Sequence, residues 1–256
     1  MNEAEKGGAI AVKNGEVDIG NAILQNNQAS IGAGLFQQNG TISVSNATLE
    51  SNIATQGGGI ASQNGTIEVR NTDITNNIGS GLVEIGGQAN IQVLYSNLYG
   101  NIPENFVGDN TIETLNGNLS TDPIYVNSGS NALLLNTTSS GTTSLTDVRL
   151  SSLSPLIDSG DNTILDPDNT VSDVGAWGGP NADNWDLDGD GFAAKWEGDT
   201  YVPSLDIALG WDCDDSDARV YPYASDILGD DLDTNCDGLD GTDADFDELK
   251  VSLTSA

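Results

Sequence analysis

From residue 186 to 197 the chain reads Asp-Leu-Asp-Gly-Asp-Gly-Phe-Ala-Ala-Lys-Trp-Glu, with carboxylates at Asp186, Asp188, Asp190 and Glu197. Short acidic side chains on alternate residues can all turn toward one cation, and a hard ion such as Ca²⁺ takes about six to eight oxygens. Counted from Asp186, Gly191 stands where a calcium loop bends sharply, and Phe192 where such a loop ligates through a backbone carbonyl. Glu197 falls where a longer acid reaches back to bind through both oxygens. The chemistry these residue types suggest is cation ligation.

Two more acidic runs follow. Asp212-Cys-Asp-Asp-Ser-Asp217 offers Asp212, Asp214 and Asp217; between Asp231 and Asp240, the residues Asp231, Asp233, Asn235 and Asp237 alternate, with Asp240 beyond them. The chain has no histidine, so the donors are oxygens and the ion expected is Ca²⁺, in two or more copies, rather than Zn²⁺ or Cu²⁺. Both cysteines, Cys213 and Cys236, lie in the same region. A disulfide between them would place the chain outside the cytoplasm, secreted or at a cell surface. Two free buried thiols are the alternative.

The charge explains why such a segment needs an ion. The chain holds 39 acidic and 7 basic residues, net −32; residues 181–256 carry 21 of the acidic and 3 of the basic ones. Repulsion at that density opposes compaction, and few large apolar residues are present to offset the entropy of ordering. Bound cations would supply the difference, and a bridge closing the intervening loop adds about 3 kcal/mol. Nucleic acid and anionic membrane surfaces are poor partners for such a charge, and no nucleic-acid partner is expected. No stretch has the length and apolarity of a membrane span, and no signal peptide is visible. Because repeat sequence begins almost directly after Met1, the chain is expected to be a piece of something longer.

The elements ahead of the acidic segment are repetitive. Ile10, Leu35 and Ile60 are 25 residues apart, as are Gly15/Gly40/Gly65, Val17/Ile42/Ile67, Ile19/Val44/Val69, Asn21/Asn46/Asn71, Leu24/Leu49/Ile74 and Asn27/Asn52/Asn77. A fourth copy with altered spacing contains Ile91, Val93, Leu98 and Asn101. A fixed period of this size marks a solenoid. Inside each copy the apolar residues alternate, Val17 and Ile19 flanking Asp18, which marks strands with one buried face. Asn-Gly before this strand marks a corner. The expected architecture is all-β: parallel β-helix coils over residues 7–101 within a domain of residues 1–180, then a small irregular Ca²⁺-stabilised acidic domain, 181–256. Both asparagine columns, 21/46/71 and 27/52/77, are expected to stack as amide ladders.

These repeats resemble the right-handed parallel β-helix family. Gly7-Gly-Ala-Ile10 and Gly57-Gly-Gly-Ile60, each followed by Leu24 to Asn27 or Ile74 to Asn77, are similar to repeats of polymorphic outer-membrane proteins and pectate-lyase-like solenoids. Ser154-Pro-Leu-Ile-Asp-Ser-Gly160 and Asp173-Val-Gly-Ala-Trp-Gly-Gly179 resemble the closing segment of secreted bacterial β-helix proteins, which implies last coils and a cap. Asp186 to Gly191, Asp212 to Asp217 and Asn235 to Gly238 resemble the metal-binding motif of secreted bacterial proteins and thrombospondin type 3 repeats.

This scaffold hosts lyases, hydrolases, adhesins and inert stalks alike, so the resemblance implies fold more than activity. The solenoid's cations are Lys6, Lys13, Arg70 and Arg149, and no two occupy equivalent repeat positions. Glu16, Asp18 and Glu68 share a strand face, but Thr41 and Ser43 occupy the coil between them. The reading reached is a non-catalytic structural or adhesive module. The alternatives are a fragment of a calcium-assisted polysaccharide lyase or hydrolase, or a non-catalytic carbohydrate-binding module. The expected partners are a polysaccharide or cell-surface ligand, and a second chain at the first coil.

Overall fold

The computed structural model describes residues 3–108, 116–125, 148–151, 153–182, 188, 190, 192–194, 211–239 and 241. It falls into two units, Met1–Asn184 and Trp185–Ala256. Among the described residues there is no helix, and so none long and apolar enough to cross a membrane.

The first unit is a parallel β-solenoid. Its strands are β1 (Glu3–Lys6), β2 (Ile10–Val12), β3 (Glu16–Gly20), β4 (Ile23–Gln25), β5 (Gln28–Ile31), β6 (Leu35–Gln37), β7 (Thr41–Ser45), β8 (Thr48–Glu50), β9 (Ile60–Arg70), β10 (Asp73–Thr75), β11 (Leu82–Leu94), β12 (Asn97–Tyr99) and β13 (Phe106–Val107). Each pairs in parallel with its counterpart one coil away, so β4, β8, β10 and β12 form one column and β2, β6, β9, β11 and β13 another. Register follows the repeat: Val17 faces Ile42, Ile42 faces Ile67, and Ile67 faces Ile91. The inward rows Leu35–Ile60–Leu82, Ile42–Ile67–Ile91 and Leu49–Ile74–Leu98 are buried and make up the core.

The altered spacing of the fourth copy has a local cause. Ile60 pairs with Leu82, but beyond a register shift between Glu84 and Gln88 it is Asn64 that pairs with Gln88. The approach to β11 is thus shortened and a bulge restores most of the difference, so Ile74 still meets Leu98. The corners are glycine by necessity. Gly40 has φ 97° and Gly65 φ 93°, and a Cβ on either would lie 2.2 Å from the carbonyl oxygen of the glycine one coil before.

One asparagine column forms the expected ladder. Asn77 Oδ1 accepts from the Asn52 backbone N–H (2.9 Å) and side-chain amide (3.0 Å), while Asn77 Nδ2 donates to Leu49 O and to Asn101 Oδ1 (both 2.9 Å). The pattern runs from Asn27 through Asn52, Asn77 and Asn101 to Asn105. A second ladder, of hydroxyls, was not anticipated: Thr72 Oγ1 accepts from Ala47 N, Ser96 Oγ from Thr72 N, and Asn118 Oδ1 from Ser96 N.

The column of Asn21, Asn46 and Asn71 departs from expectation. All three share a positive φ (43°, 46° and 46°), and their amides do not bond one another. They bind residues 161–178 instead. Asn21 Nδ2 donates to Ala176 O and Gly178 O, Asn46 Nδ2 to Ser172 Oγ and Asp173 O, and Asn71 Oδ1 accepts from Asp161 N. Residues 161–178 therefore run along the flank of the stack, touching successive coils. Arg70, at the end of β9, adds ion pairs to Glu68 (3.2 Å) and to the buried Asp161. A satellite core of Tyr125, Val148, Leu150, Leu156 and Val174 fills this layer.

Burial leaves two acids in unusual states. Asp73 is fully buried, accepting from Asn97 Nδ2 at 3.0 Å and from the Tyr125 hydroxyl. Burial pushes its carboxyl up to about 7 despite those hydrogen bonds, and pushes Asp173 up to about 8. The native unit thus keeps protons that the unfolded chain, with carboxyls near ~4, releases. The stability these groups contribute is present below about pH 4 and is lost as pH rises through 7 to 8. Urea unfolding should show a loss on the order of 7 kcal/mol between pH 5 and pH 9, roughly 3 from Asp73 and 4 from Asp173. Asp73→Asn should flatten part of that slope, and an unchanged slope in the variant would refute the assignment. Asn77→Ala, which strands the Asn52 N–H and the Leu49 carbonyl, should lower stability by roughly 3 kcal/mol at any pH. A loss below about 1 kcal/mol, within the range of an ordinary surface change, would deny the ladder its role.

Candidate metal centre

In the second unit, alternating acids act first on their own backbone. Asp188 Oδ1 accepts from Asp190 N (3.3 Å), Asp190 Oδ1 from Phe192 N (2.9 Å), Asp212 Oδ1 from Asp214 N (3.0 Å) and Asp214 Oδ1 from Ser216 N (3.3 Å). Each is an Asx turn, the local hydrogen bond that short acidic side chains make to the residue two ahead. The turn fixes the direction of the side chain through one of its two oxygens.

Two of these runs meet. β14 (Ala193–Ala194) pairs in parallel with β15 (Trp211–Asp212), and Phe192 stacks on Tyr221 with ring centroids 5.4 Å apart. The contact brings one carboxylate oxygen each of Asp188, Asp212 and Asp215 within 4.8 Å of one another. Oxygens around a common Ca²⁺, each about 2.4 Å from the ion, have this spacing. Asp212 is only 3% exposed, and its Oδ2 is buried without a hydrogen-bond partner, as is Asp188 Oδ2. A buried carboxylate oxygen with no donor is costly unless a cation or proton supplies the missing partner. In the absence of a cation, burial and the like charges of Asp190, Asp188 and Asp215 push the Asp212 carboxyl up to about 7. A divalent ion at the same point would reverse that balance.

The cysteines are joined. Cys213 and Cys236 form a disulfide with Cα atoms 5.6 Å apart, and no free cysteine remains. Their sulfurs lie beside Asp212 but are bonded to each other, so thiolate ligation is ruled out and the donors at this point are oxygens.

The remaining acids expected at metal sites are placed differently. Asp214 is exposed and also accepts from Ser216 Oγ (2.6 Å), and Asp217 is engaged by Arg219 through both guanidinium hydrogen bonds. Asp233 accepts from Gly238 N (2.8 Å) and Asp237 N (3.1 Å), Asn235 Nδ2 donates to Asp237 Oδ2 (3.0 Å), and Asp237 Oδ1 accepts from Leu239 N (2.8 Å). These groups brace a turn. Among the described residues Asp231, Asp233 and Asp237 form no carboxylate triad like that at Asp212. Asp231 is exposed with φ 62°. Asp186, Glu197 and Asp240 lie outside the described residues.

Two acids with structural weight were not singled out by spacing. Asp215 is the third member of the triad, and its only signal is the doubled acid in Asp212-Cys-Asp-Asp215. Asp226 is buried and accepts from Thr234 N and Oγ1 and from Gly241 N; these bonds hold its carboxyl low although burial pushes the other way.

Among the described residues the solenoid offers no comparable convergence. Asp18 faces Ser43, which faces Glu68, so the two acids are two strand spacings apart, about 10 Å. Arg70 is committed to Glu68 and Asp161, and Lys6 lies 5.1 Å over the Phe36 ring. No protein-family model, no curated protein and no solved structure matches the chain.

Proposed function

We propose that this chain is a structural module that works outside the cytoplasm. In this reading a non-catalytic parallel β-solenoid, of the right-handed kind, carries an acidic domain folded around Ca²⁺, and its role is that of a stalk or adhesive segment. The observation that carries the calcium reading is the Asp212 carboxylate, which converges with those of Asp188 and Asp215 and buries its Oδ2 without a donor. Oxygen donors and the absence of histidine favour a hard ion. The Cys213–Cys236 disulfide favours an oxidising compartment. The non-catalytic reading is supported by Asp18 and Glu68 standing two coils apart and by Arg70 being taken up in ion pairs.

Calcium that binds the folded domain alone raises its stability by mass action, about 2.7 kcal/mol at a hundred times the dissociation constant. Calorimetric melting of the full chain should show an upward shift with Ca²⁺ that EDTA abolishes. Asp212→Asn should remove most of that shift. In EDTA the same variant should be as stable as the wild type or more so, because it deletes a buried charge repelled by its neighbours. Melting indifferent to chelation would sink the calcium reading, and a full calcium response in Asp212→Asn would move the site elsewhere.

A further inference from the structure

The disulfide and the carboxylate triad are neighbours. Cys213 directly follows Asp212, and its backbone N–H lies 3.2 Å from Cys236 Sγ. That sulfur belongs to a fully buried residue and lies 3.9 Å from Asp212 Oδ1. It therefore forms part of the wall against which the Asp212 carboxylate is buried. The bridge spans 23 residues of sequence and fastens the turn carrying Asp212 and Asp215 to the turn braced by Asp233 and Asp237. Beside the bridge, the contacts on this turn include Asp214 N to Asp212 Oδ1, Asp217 N to Asp214 O at 3.1 Å and the two residue pairs between β14 and β15, and farther along Tyr221 N donates to Thr234 O at 3.0 Å. Against them stands the mutual repulsion of Asp188, Asp212 and Asp215 in a segment of 21 acidic and 3 basic residues.

We infer that the disulfide and the cation site form one coupled device, in which the Cys213–Cys236 bridge keeps Asp212 converged with Asp188 and Asp215, and opening the bridge lowers the affinity for Ca²⁺. The inference rests on the calcium reading above. A dithiol reductant opens the bridge in a balanced step. It delivers two electrons and two protons, the Sγ–Sγ bond breaks to give two thiols, and the dithiol becomes its own cyclic disulfide. The wall beside Asp212 then divides, and the three carboxylates separate under their own repulsion. Binding linkage makes the effect reciprocal: whatever factor the bridge adds to calcium affinity, calcium adds to the resistance of the bridge to reduction. A physical stop against thiol exchange thus comes from an ion that touches neither sulfur.

The test measures both sides of the linkage on the full chain. Ca²⁺ affinity is determined by calorimetry on the oxidised chain and on chain reduced with dithiothreitol and capped at both thiols. The reduction equilibrium in graded ratios of reduced to oxidised dithiothreitol is determined with saturating Ca²⁺ and with EDTA. Affinity should fall at least tenfold on reduction, and Ca²⁺ should make the bridge at least tenfold harder to reduce, equivalent to about 30 mV. Asp212→Asn should lose the calcium effect on reduction. Because the second measurement uses the native disulfide chain, it does not depend on any variant folding. If Ca²⁺ leaves the reduction equilibrium of the wild type unchanged although the oxidised chain binds it, the coupling is wrong and the calcium reading stands. If the oxidised chain binds no Ca²⁺, the calcium reading itself falls. If Asp212→Asn retains the full calcium effect, the coupled site is not this one.

Discussion

Parallel coils stacked one strand spacing apart impose a single condition on everything inside them: a polar group buried in one coil must find its partner at the same place in the next. Backbone amides meet the condition along the strands, but corners expose N–H and C=O groups that no strand partner reaches. The side chains of Asn52, Asn77 and Asn101 repair this by accepting from the coil before and donating across to Leu24, Leu49 and Ile74 carbonyls. Each such residue satisfies an otherwise orphaned group on two coils, so removing one disturbs both neighbours. The hydroxyls of Thr72 and Ser96 do the same at the adjoining corner, and Gln37 and Ser62 do it inside the wall, bonded to each other at 2.6 Å. Hydrophobic burial supplies the driving force, but these contacts fix the register at which the isoleucine and leucine rows can meet.

The same condition separates what could be read in the sequence from what could not. Strand content, register and the Asn27–Asn52–Asn77 ladder were legible because each depends on identity recurring at a fixed interval. The glycine corners were legible for the same reason, and Gly40 and Gly65 sit where a side chain would strike the preceding coil. The column of Asn21, Asn46 and Asn71 looked the same by spacing and behaves otherwise: its backbone adopts positive φ, and its amides do not bond one another. Spacing reports that three residues are equivalent; it does not report which way their side chains point. Their partners, Ala176, Ser172 and Asp161, lie more than eighty residues away outside the repeat, where no period signals them. The stretch whose likeness suggested closing coils is in part this flank, and Asp73 is a buried acid bonded to Tyr125 and Asn97.

In the acidic unit the legible part was the chemistry and the illegible part was its grouping. Reading motif by motif assigns Asp188 and Asp190 to one loop and Asp212, Asp214 and Asp217 to another. The fold regroups them, taking Asp188 from the first and Asp212 and Asp215 from the second while Asp217 is drawn off by Arg219. Local geometry explains the sorting. An alternating run sends its Asx-turn oxygens to its own backbone, so which remaining oxygens converge is decided by the pairing of β14 with β15, a contact that loop spacing does not encode.

Under the proposed calcium reading, that sorting also distinguishes acids that serve the fold from acids that would serve a ligand, although their residue type is identical. Asp226 and Asp233 spend both oxygens on backbone or hydroxyl donors nearby, and a cation at either would have to compete with hydrogen bonds already made. Asp212 spends Oδ1 on Asp214 N, with the Cys236 sulfur 3.9 Å from that oxygen, and buries Oδ2 without a donor in a carboxylate that converges with two more. A buried oxygen so placed weakens the fold when alone and strengthens it when an ion completes it. Net charge cannot make this distinction, since it counts every acid alike. What marks a ligand position in a segment this acidic is the direction of the second oxygen and the absence of any protein group to receive it.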